Sequence, residues 1–401
     1  MGIFTTDAFA QSLREKLQNS DPAARMQACM FTQNMHDYIA PLKDGFYSRL
    51  AWELEYQASH VFTAQPACVT QFKSKAASGN PHDFYSEGMY EWPNPKDPDG
   101  PHITRDGLPN PGRFHFHRTA LEQTTQNSHL LACAGYYLDK PEYLKKAAHL
   151  LNVWFLDKET MMNPHLEYAQ AVQGRCIGRG IGIIDTKTFI KVIFAADLLR
   201  LAGGFDELIA GLKNWFGRYL TWLTTSKNGN DEKNEGNNHA SWWTVQTMAY
   251  AIFTQNRSVF EQCCDWYRTA ILPQMNDAGT FPRETERTRS YFYSLFNLQA
   301  YSLICEMAHL QGVDLWHHKT AENKSAKRAI GVMSEYVDSP FLWTYKQVRG
   351  EQLCDQLSLQ LGALRLDMPE WENINRARQN GYMLLKDDSV LGPIALLPKA
   401  L

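Results

Sequence analysis

The 401-residue sequence predicts an all-α protein, built as an (α/α) toroid, which is an incomplete α/α barrel of antiparallel helix pairs. From about residue 120 onward, apolar residues recur every three or four positions, the period of a helix, whereas the two-residue alternation typical of strands is scarce. The helical stretches also come in sequential pairs without a short exact repeat. This arrangement favours a ring of helix pairs over a solenoid of near-identical units.

The first predicted pair lies within residues 129–157, where Lys140 and Pro141 separate two helical stretches. Three more pairs follow, with predicted bounds of 187–202 with 205–225, 240–255 with 257–274, and 291–311 with 324–337. A short strand is expected only near the C-terminus, in the stretch YMLLKDDSVLGPIALLP at 382–398. We therefore predict one domain over residues 1–401.

Residues 79–113 break the helical pattern with seven prolines and five glycines, which exclude a regular helix. The segment also contains four aromatic residues, and disordered segments are poor in such residues. Two interpretations stay open: a packed strap across the toroid, or one wall of a substrate cleft. For the second, we expect Tyr90 and Trp92 to border sugar-binding subsites.

Composition excludes several classes of function. A formal net charge of −3, from 40 basic and 43 acidic residues, provides no overall field that would attract nucleic acid or an anionic membrane. No apolar run approaches the ~20 residues of a membrane-spanning helix. We expect a monomer without nucleic-acid or membrane partners. The opening residues lack the features of a signal peptide, so we expect a cytoplasmic protein unless a leader has been removed, in which case it is secreted or periplasmic.

The cysteines are scattered among apolar residues and contain no CxxC pair, which predicts buried thiols without a disulfide framework or a zinc site. They are Cys29, Cys68, Cys133, Cys176, Cys263, Cys264, Cys305 and Cys354. We expect neither a metal nor a cofactor.

A glycine-rich stretch at residues 162–189 matches neither the P-loop pattern nor a correctly placed GxGxxG. Its polar residues Gln173, Arg175 and Arg179 instead offer an amide and two guanidinium groups, which suit carboxylates and hydroxyls. Surface salt bridges are the alternative for both arginines.

Two further stretches carry candidate catalytic residues. NEGNNHASWW, at 234–243, places Asn238 beside His239 before a helix, and FPRETERTRSYFYSLF, at 281–296, contains Arg287, Tyr291 and Tyr293. A helix that begins near Arg287 would put Arg287 and Tyr291 on one face, whereas an extended segment before residue 290 would not. The sequence leaves this geometry open.

An amide, an imidazole, a guanidinium and a phenol together suit β-elimination from a uronic acid polymer. The C5 proton of a uronate becomes removable when donors stabilise the charge that develops at the carboxylate, a role that fits Asn238 and His239. Arg287 would support the base. A tyrosine whose phenol is deprotonated by nearby positive charge could take the C5 proton and return a proton to O4.

Other interpretations compete with this one. An asparagine before a helix is a common N-cap, and a single histidine is often structural. A glycoside hydrolase would need two carboxylates that flank a cleft, with Asp185, Asp231, Glu235 and Glu286 as candidates. A non-catalytic uronan-binding protein would also use the aromatic and arginine residues.

Five motifs in order resemble the alginate lyase superfamily over about residues 80–310. They are HDFYSEGMYEWPNP, DGPHITRDGLPNP, MNPHLEYAQAVQGRCIGRGIGIID, GNNHASWW and RETERTRSYFY. The chain resembles polysaccharide lyase family 38 most, whose members have an (α/α) toroid and act on alginate or glucuronan, and it is more distantly similar to family 5 alginate lyases.

The resemblance implies specific roles for four residues. Asn238 and His239 would meet the carboxylate, Arg287 would give support, and Tyr293 would be base and acid, with Tyr291 as a competitor. The six-residue spacing from Arg287 to Tyr293 is the one used in family 38, whereas family 5 uses seven. The predicted substrate-binding residues are Tyr90, Trp92, Asn127, Gln173, Arg175, Arg179 and Tyr291.

Stereochemistry narrows the expected substrates. Mannuronate and glucuronate present H5 and O4 on the same side of the sugar, so one tyrosine can serve both atoms. Guluronate presents them on opposite sides and would need a separate base, for which His239 is the candidate. We therefore expect an anionic polyuronate rich in mannuronate or glucuronate to be the substrate.

Overall fold

The computed structural model describes residues 2–3, 6–20, 46–348 and 357–378. It is 61% helical, and its strands are few and short. The helices are α1 Asp7–Gln18, α2 Phe46–Phe62, α3 Phe116–Tyr137, α4 Pro141–Phe155, α5 Phe189–Ala202, α6 Asp206–Thr225, α7 Lys227–Lys233, α8 Asn238–Phe253, α9 Arg257–Trp266, α10 Pro282–Thr285, α11 Ser290–Leu310, α12 Ala326–Asp338, α13 Leu357–Leu366 and α14 Pro369–Arg378.

The helices form an α/α toroid, as predicted. An inner layer contains α3, α5, α8, α11 and α13, each of which packs against the next. Outer helices follow the inner ones along the chain, and connections of a few residues join α3 to α4, α5 to α6 and α8 to α9. Such short connections make each pair antiparallel.

Burial explains which helices lie inside. Every residue of α8 from Ala240 to Ala251 is buried, so this helix is surrounded by protein on all sides. The outer helix α9 buries only one stripe, formed by Phe260, Cys263 and Cys264, and exposes its charged face. The apolar residues therefore assign each helix to its layer.

The inner helices begin at the same end of the ring. Near the starts of α3 and α5, Arg118 Nη1 lies 3.5 Å from Asp185 Oδ1. Near the starts of α8 and α11, the rings of Trp242 and Phe296 stack with centroids 4.7 Å apart. The segments that precede the inner helices therefore converge at one end, where the positive ends of the helix dipoles also lie.

Short strands organise the segment at 79–113. β1 Tyr85–Glu87 pairs in parallel with β4 Tyr168–Ala171, and β2 Glu91–Trp92 pairs in antiparallel fashion with β3 Ile103–Thr104. The sequence did not predict these strands, because runs of two to four residues are too short to show alternation. The strand expected at 382–398 lies outside the described residues.

The predicted helix pairs are confirmed, with most ends within a few residues. The exceptions are α3, which begins at Phe116 rather than at 129, and α9, which ends at Trp266 and is followed by π- and 3₁₀-helical turns up to Gln274. Five cysteines, namely Cys68, Cys133, Cys263, Cys264 and Cys305, are buried thiols as predicted, and Cys176 is half-buried. Cys29 and Cys354 lie outside the described residues. Within the described part of the chain, no helix is both long and apolar enough to cross a membrane. That residues 1–401 form one domain stays a prediction.

Candidate active site

The start of α8 holds the Asn-His pair. Asn237 is the N-cap, and its side chain accepts a hydrogen bond of 2.9 Å from the backbone N–H of His239. The N-cap interpretation therefore applies to Asn237 and not to Asn238. Asn238 donates from Nδ2 to both carboxylate oxygens of Glu284, at 3.0 and 2.9 Å, and from its backbone N–H at 2.6 Å.

His239 is held by a second buried carboxylate. Its Nδ1 lies 2.9 Å from Oε1 of Glu232, which is completely buried, whereas the His239 side chain is 16% exposed. Burial alone would lower the pKa of His239, but the charge of Glu232 reverses this effect, and the pKa is raised. The imidazole is thus stabilised as a cation, and Nε2 is the ring nitrogen left for a ligand.

Arg287 lies in the connection between α10 and α11 and is clamped by the 79–113 segment. Its Nη2 donates to Oδ1 of Asp106 at 2.6 Å, and the backbone N–H and hydroxyl of Thr288 donate to Oδ2 of the same carboxylate at 3.0 and 2.8 Å. Burial alone would raise the pKa of Asp106, but these hydrogen bonds lower it to about 2. Asp106 is therefore charged at neutral pH.

Tyr293 lies in the first turn of α11, between Arg287 and Tyr90. The guanidinium carbon of Arg287 is 3.8 Å from the centroid of the Tyr293 ring, and the hydroxyl oxygens of Tyr293 and Tyr90 are 2.8 Å apart. Burial raises the pKa of Tyr293 well above its ordinary value, although Arg287 lowers it. Burial therefore opposes the phenol deprotonated by positive charge that is expected from the sequence, and this ionisation stays a prediction.

Tyr291 lies away from this group. Its hydroxyl donates to the backbone carbonyl of Tyr336 at 3.4 Å, and its ring packs edge-on against Trp343. Because α11 begins at Ser290, Arg287 is not part of the helix, and the i, i+4 pairing with Tyr291 does not form. The contacts therefore assign Tyr291 to packing rather than to substrate binding.

Arg175 and Arg179 both pair with a carboxylate of the protein. Glu91 is buried, and its oxygens lie 3.5 Å from Nη1 of Arg175 and 3.3 Å from Nη1 of Arg179. Both arginines therefore form salt bridges, as the alternative interpretation expects. Arg179 also donates to Oε1 of Gln170 at 3.4 Å. Gln173 is exposed, and its backbone carbonyl accepts from the N–H of His102.

The aromatic residues of 79–113 divide into two groups. Phe84 and Tyr85 are buried and anchor the segment, as the strap interpretation expects. Tyr90 instead reaches Tyr293, as the cleft-wall interpretation expects. Trp92 donates from Nε1 to the carbonyl of Leu108 at 2.8 Å, and the guanidinium carbon of Arg105 lies 5.1 Å from its ring centroid. A sugar could therefore stack only on the other face of Trp92.

Asn127 lies apart from the other predicted residues. It follows Arg118 by nine positions in α3, which at 100° per residue places it on the opposite side of the helix. None of the hydrogen bonds among the described residues involves its side chain. A substrate-binding role for Asn127 gains no support from this position.

A groove of about 510 Å³ lies between the glycine-rich stretch and the end of α7. It is lined by Arg179, Gly180, Ile181, Asn230, Asp231, Asn234 and Glu235. Two of the hydrolase candidates are bound to other side chains of the protein. Asp231 forms an ion pair with Lys227 at 2.5 Å, and the buried Asp185 accepts a hydrogen bond from Ser86 at 2.6 Å. Within the described residues, no group of three His, Cys, Asp or Glu side chains could hold a metal ion.

Sequence reasoning missed the acidic partners Glu232, Glu284, Asp106 and Glu91. The motifs that contain Asp106 and Glu284 were recognised, but their pairing with residues far along the chain carries no sequence signal. Gln170, at a left-handed φ of 50°, was also missed; its amide donates to Asp185 at 3.2 Å. Such strained residues often lie at functional sites.

The comparisons with known proteins identify the family. A model of the family described as alginate lyase matches residues 69–343, which is more than half of the chain. The chain belongs to the alginate lyase family.

Among curated relatives, the alginate lyase of Pseudomonas fluorescens (strain SBW25) is 32% identical over 96 residues, 24% of each protein. That of Pseudomonas putida (strain W619) is 30% identical over 121 residues, which cover 30% of this chain and 31% of the relative. The chain thus spans only about a quarter to a third of the length of these alginate lyases.

Solved alginate lyase structures share the fold over most of their length. An alginate lyase from Bacteroides ovatus has a TM-score of 0.79 and 29% identity, with 88% of this chain and 93% of that chain covered. Alginate lyase A1-III complexed with a tetrasaccharide has a TM-score of 0.52 and 16% identity, with 79% and 87% covered. At 16% identity, the second similarity supports the fold alone.

Proposed function

We propose that the chain is a polysaccharide lyase that cleaves β-1,4-linked uronic acid polymers, either mannuronate blocks of alginate or glucuronan, by β-elimination. The observation that carries the proposal is the position of Tyr293. Its hydroxyl lies 2.8 Å from that of Tyr90, and Arg287 stacks on its ring. The Asn-His pair lies at the start of the neighbouring inner helix, and Glu284, which binds Asn238, also interacts electrostatically with Arg287. These contacts support one site for the amide, imidazole, guanidinium and phenol.

His239 and Asn238 would meet the C6 carboxylate of the sugar that loses its C5 proton. The raised pKa of His239 keeps the imidazole positive to higher pH than usual, and a cation stabilises the negative charge that builds up on the carboxylate. Asn238 is oriented by Glu284, which accepts from its Nδ2, so Asn238 would donate to the substrate carboxylate by exchanging this partner. Arg287 would add positive charge beside the phenol.

The raised pKa of Tyr293 favours a neutral phenol in the elimination. The Tyr293 oxygen would accept the C5 proton while its own proton moves to O4. The C5–H and C4–O4 bonds break, a C4–C5 double bond forms, and the phenol ends the step neutral. This exchange requires H5 and O4 on the same side of the sugar, as in mannuronate and glucuronate.

A panel of polymannuronate, polyguluronate, glucuronan and hyaluronan tests the proposal. We expect the near-ultraviolet absorbance of an unsaturated product from polymannuronate or glucuronan, and much less from polyguluronate. Chains that shorten without this absorbance would indicate hydrolysis. Polymer binding without shortening would indicate a non-catalytic protein, and either result would refute the proposed activity.

A further inference from the structure

A second group of charged side chains lies on the Tyr90 side of the candidate site. Arg118 Nε donates to Oε1 of Glu122 at 3.0 Å, and its Nη1 lies 3.5 Å from Oδ1 of Asp185. The charges of Arg118, Glu122 and Asp185 also act on the ammonium of Lys187, which directly follows the turn that holds Asp185. None of these residues has a role in the elimination described above.

Arg113 connects this group to Tyr90. Its Nη1 donates to the backbone carbonyl of Asn110 at 2.7 Å. Asn110 holds both residues that flank Tyr90, because its N–H donates to the carbonyl of Met89 at 2.8 Å and its Nδ2 to the carbonyl of Glu91 at 2.9 Å. The Tyr90 hydroxyl also interacts electrostatically with the Arg113 and Arg118 guanidinium groups. The cations therefore lie next to the paired tyrosines.

The charges in this group do not balance. Three cations, Arg113, Arg118 and Lys187, face two carboxylates, Glu122 and Asp185. Asp185 is already engaged, because it accepts hydrogen bonds from Ser86 at 2.6 Å and from Gln170 at 3.2 Å in addition to its contact with Arg118.

Lys187 is the member without a partner. Among the described residues, no hydrogen bond or ion pair involves the ammonium group of Lys187, and the residue as a whole is half-buried. Burial, followed by repulsion from Arg118, lowers the pKa of Lys187 to about 8. An unpaired positive charge in a half-buried position is energetically unfavourable, and a bound anion would stabilise it.

We propose that Arg113, Arg118 and Lys187 form a second carboxylate subsite, which binds the uronate next to the one that loses its C5 proton. This inference rests on the proposed function and adds a specificity to it. A polymer of contiguous uronates places a carboxylate on every sugar and fills both sites. An alternating polymer such as hyaluronan carries a carboxylate only on every second sugar and leaves the second site empty.

Replacing the lysine tests the subsite. For Lys187→Gln, we expect KM for the cleaved polyuronate to rise about tenfold, with a much smaller effect on kcat, because the lost contact is made equally in the ground state and the transition state. Lys145→Gln, on the exposed face of α4, is the matched control and should retain the wild-type KM. Lys187→Arg keeps the charge and should restore most of the binding.

A binding measurement separates this inference from the proposed activity. In the Tyr293→Phe background, calorimetry with a mannuronate or glucuronate tetramer should give a Kd about tenfold weaker when Lys187→Gln is added. An unchanged Kd, or a loss of kcat comparable to that of Tyr293→Phe, would overturn the subsite. Failure of the wild-type protein to form unsaturated product would refute the lyase activity, whereas the calorimetric difference would still report on the subsite.

The pH dependence provides a second readout. Lys187 is positive below its pKa of about 8, so KM should rise as the pH increases through this value. The other charged groups that face it are Arg118, Glu122 and Asp185. The part of this rise that is due to Lys187 should be absent in Lys187→Gln, whereas any part due to His239 should remain. A pH profile of KM identical to that of the wild type would contradict the assignment.

Discussion

Three acidic side chains hold three of the proposed catalytic residues. Glu284 fixes Asn238, Glu232 holds His239, and Asp106 clamps Arg287. Each pair fixes one proposed donor before substrate arrives, which lowers the entropy lost on binding. Tyr293 differs from these residues, because its hydroxyl is hydrogen-bonded to that of another tyrosine, Tyr90, and not to a carboxylate.

The two tyrosines of α11 give the sharpest prediction at the residue scale. Tyr293→Phe removes only a hydroxyl, so the protein should fold, whereas turnover should fall by at least the ~10²-fold that a positioned acid or base contributes. Tyr291→Phe is the matched control and should retain most of its turnover, because its hydroxyl contacts the carbonyl of Tyr336. Steady-state absorbance assays measure both, and a reversed order would contradict the assignment of Tyr293.

A second prediction at this scale concerns the charge on His239. Glu232→Gln removes the main cause of the raised pKa, so burial should then lower the pKa of His239. If the imidazolium binds the carboxylate, the alkaline limb of the kcat/KM profile should move to lower pH. Glu261→Gln, on the exposed face of α9, is the control. An unmoved alkaline limb in Glu232→Gln would mean that the charge of His239 does not limit activity.

At the scale of elements, the 79–113 segment completes the candidate site. It carries Tyr90 to Tyr293 and Asp106 to Arg287, although its own strands are only two or three residues long. The segment is positioned by the parallel pairing of β1 with β4 and by its buried aromatic residues. A glycine, Gly107, allows the close approach of Asp106 to Thr288.

Gly107→Ala should loosen this clamp. Gly107 has a φ of +77°, and an added Cβ would lie 2.4 Å from Oγ1 of Thr288. We expect the free energy of unfolding to fall by about 1–3 kcal/mol, together with a loss of kcat/KM. Calorimetry and kinetics measure these effects. Gly112→Ala is the control in the same segment, since its Cβ would come no closer than 3.4 Å to Asn110. Equal effects of both substitutions would show that the clamp is not the cause.

At the scale of the whole molecule, the toroid brings cationic side chains and the positive ends of its inner helices to one end, although the chain has no positive net charge. The inner helices begin at this end, where Arg118, His239 and Arg287 also lie. The sum over the chain is nevertheless −3. Attraction of an anionic polymer is therefore expected to be local and to depend on the fold.

Salt should weaken this local attraction. Raising the ionic strength from about 0.05 to 0.5 M shortens the screening length severalfold, so KM for a polyuronate should rise at least about threefold with little effect on kcat. Steady-state kinetics at a series of salt concentrations measures the slope. Lys187→Gln should flatten it, and Lys145→Gln should not. A KM that does not respond to salt would argue against an electrostatic site.

Helix pairs were predictable because they depend on local patterns. Apolar spacing of three and four residues predicted the helices, and the prolines of 79–113 excluded one there. The order of the motifs also predicted the family and four candidate catalytic residues. The short strands and the partners of those four residues were not predicted.

The sequence by itself thus determined the all-helical class, the family and the candidate residues Asn238, His239, Arg287 and Tyr293. Tertiary structure decided which tyrosine meets Arg287, since this depends on where α11 begins. It also brought Asp106 to Arg287 across 181 residues and Tyr90 to Tyr293 across 203. Tyr293 is buried only in the folded protein, and this burial raises the pKa of its phenol. The spacing of residues along the chain does not reveal such burial.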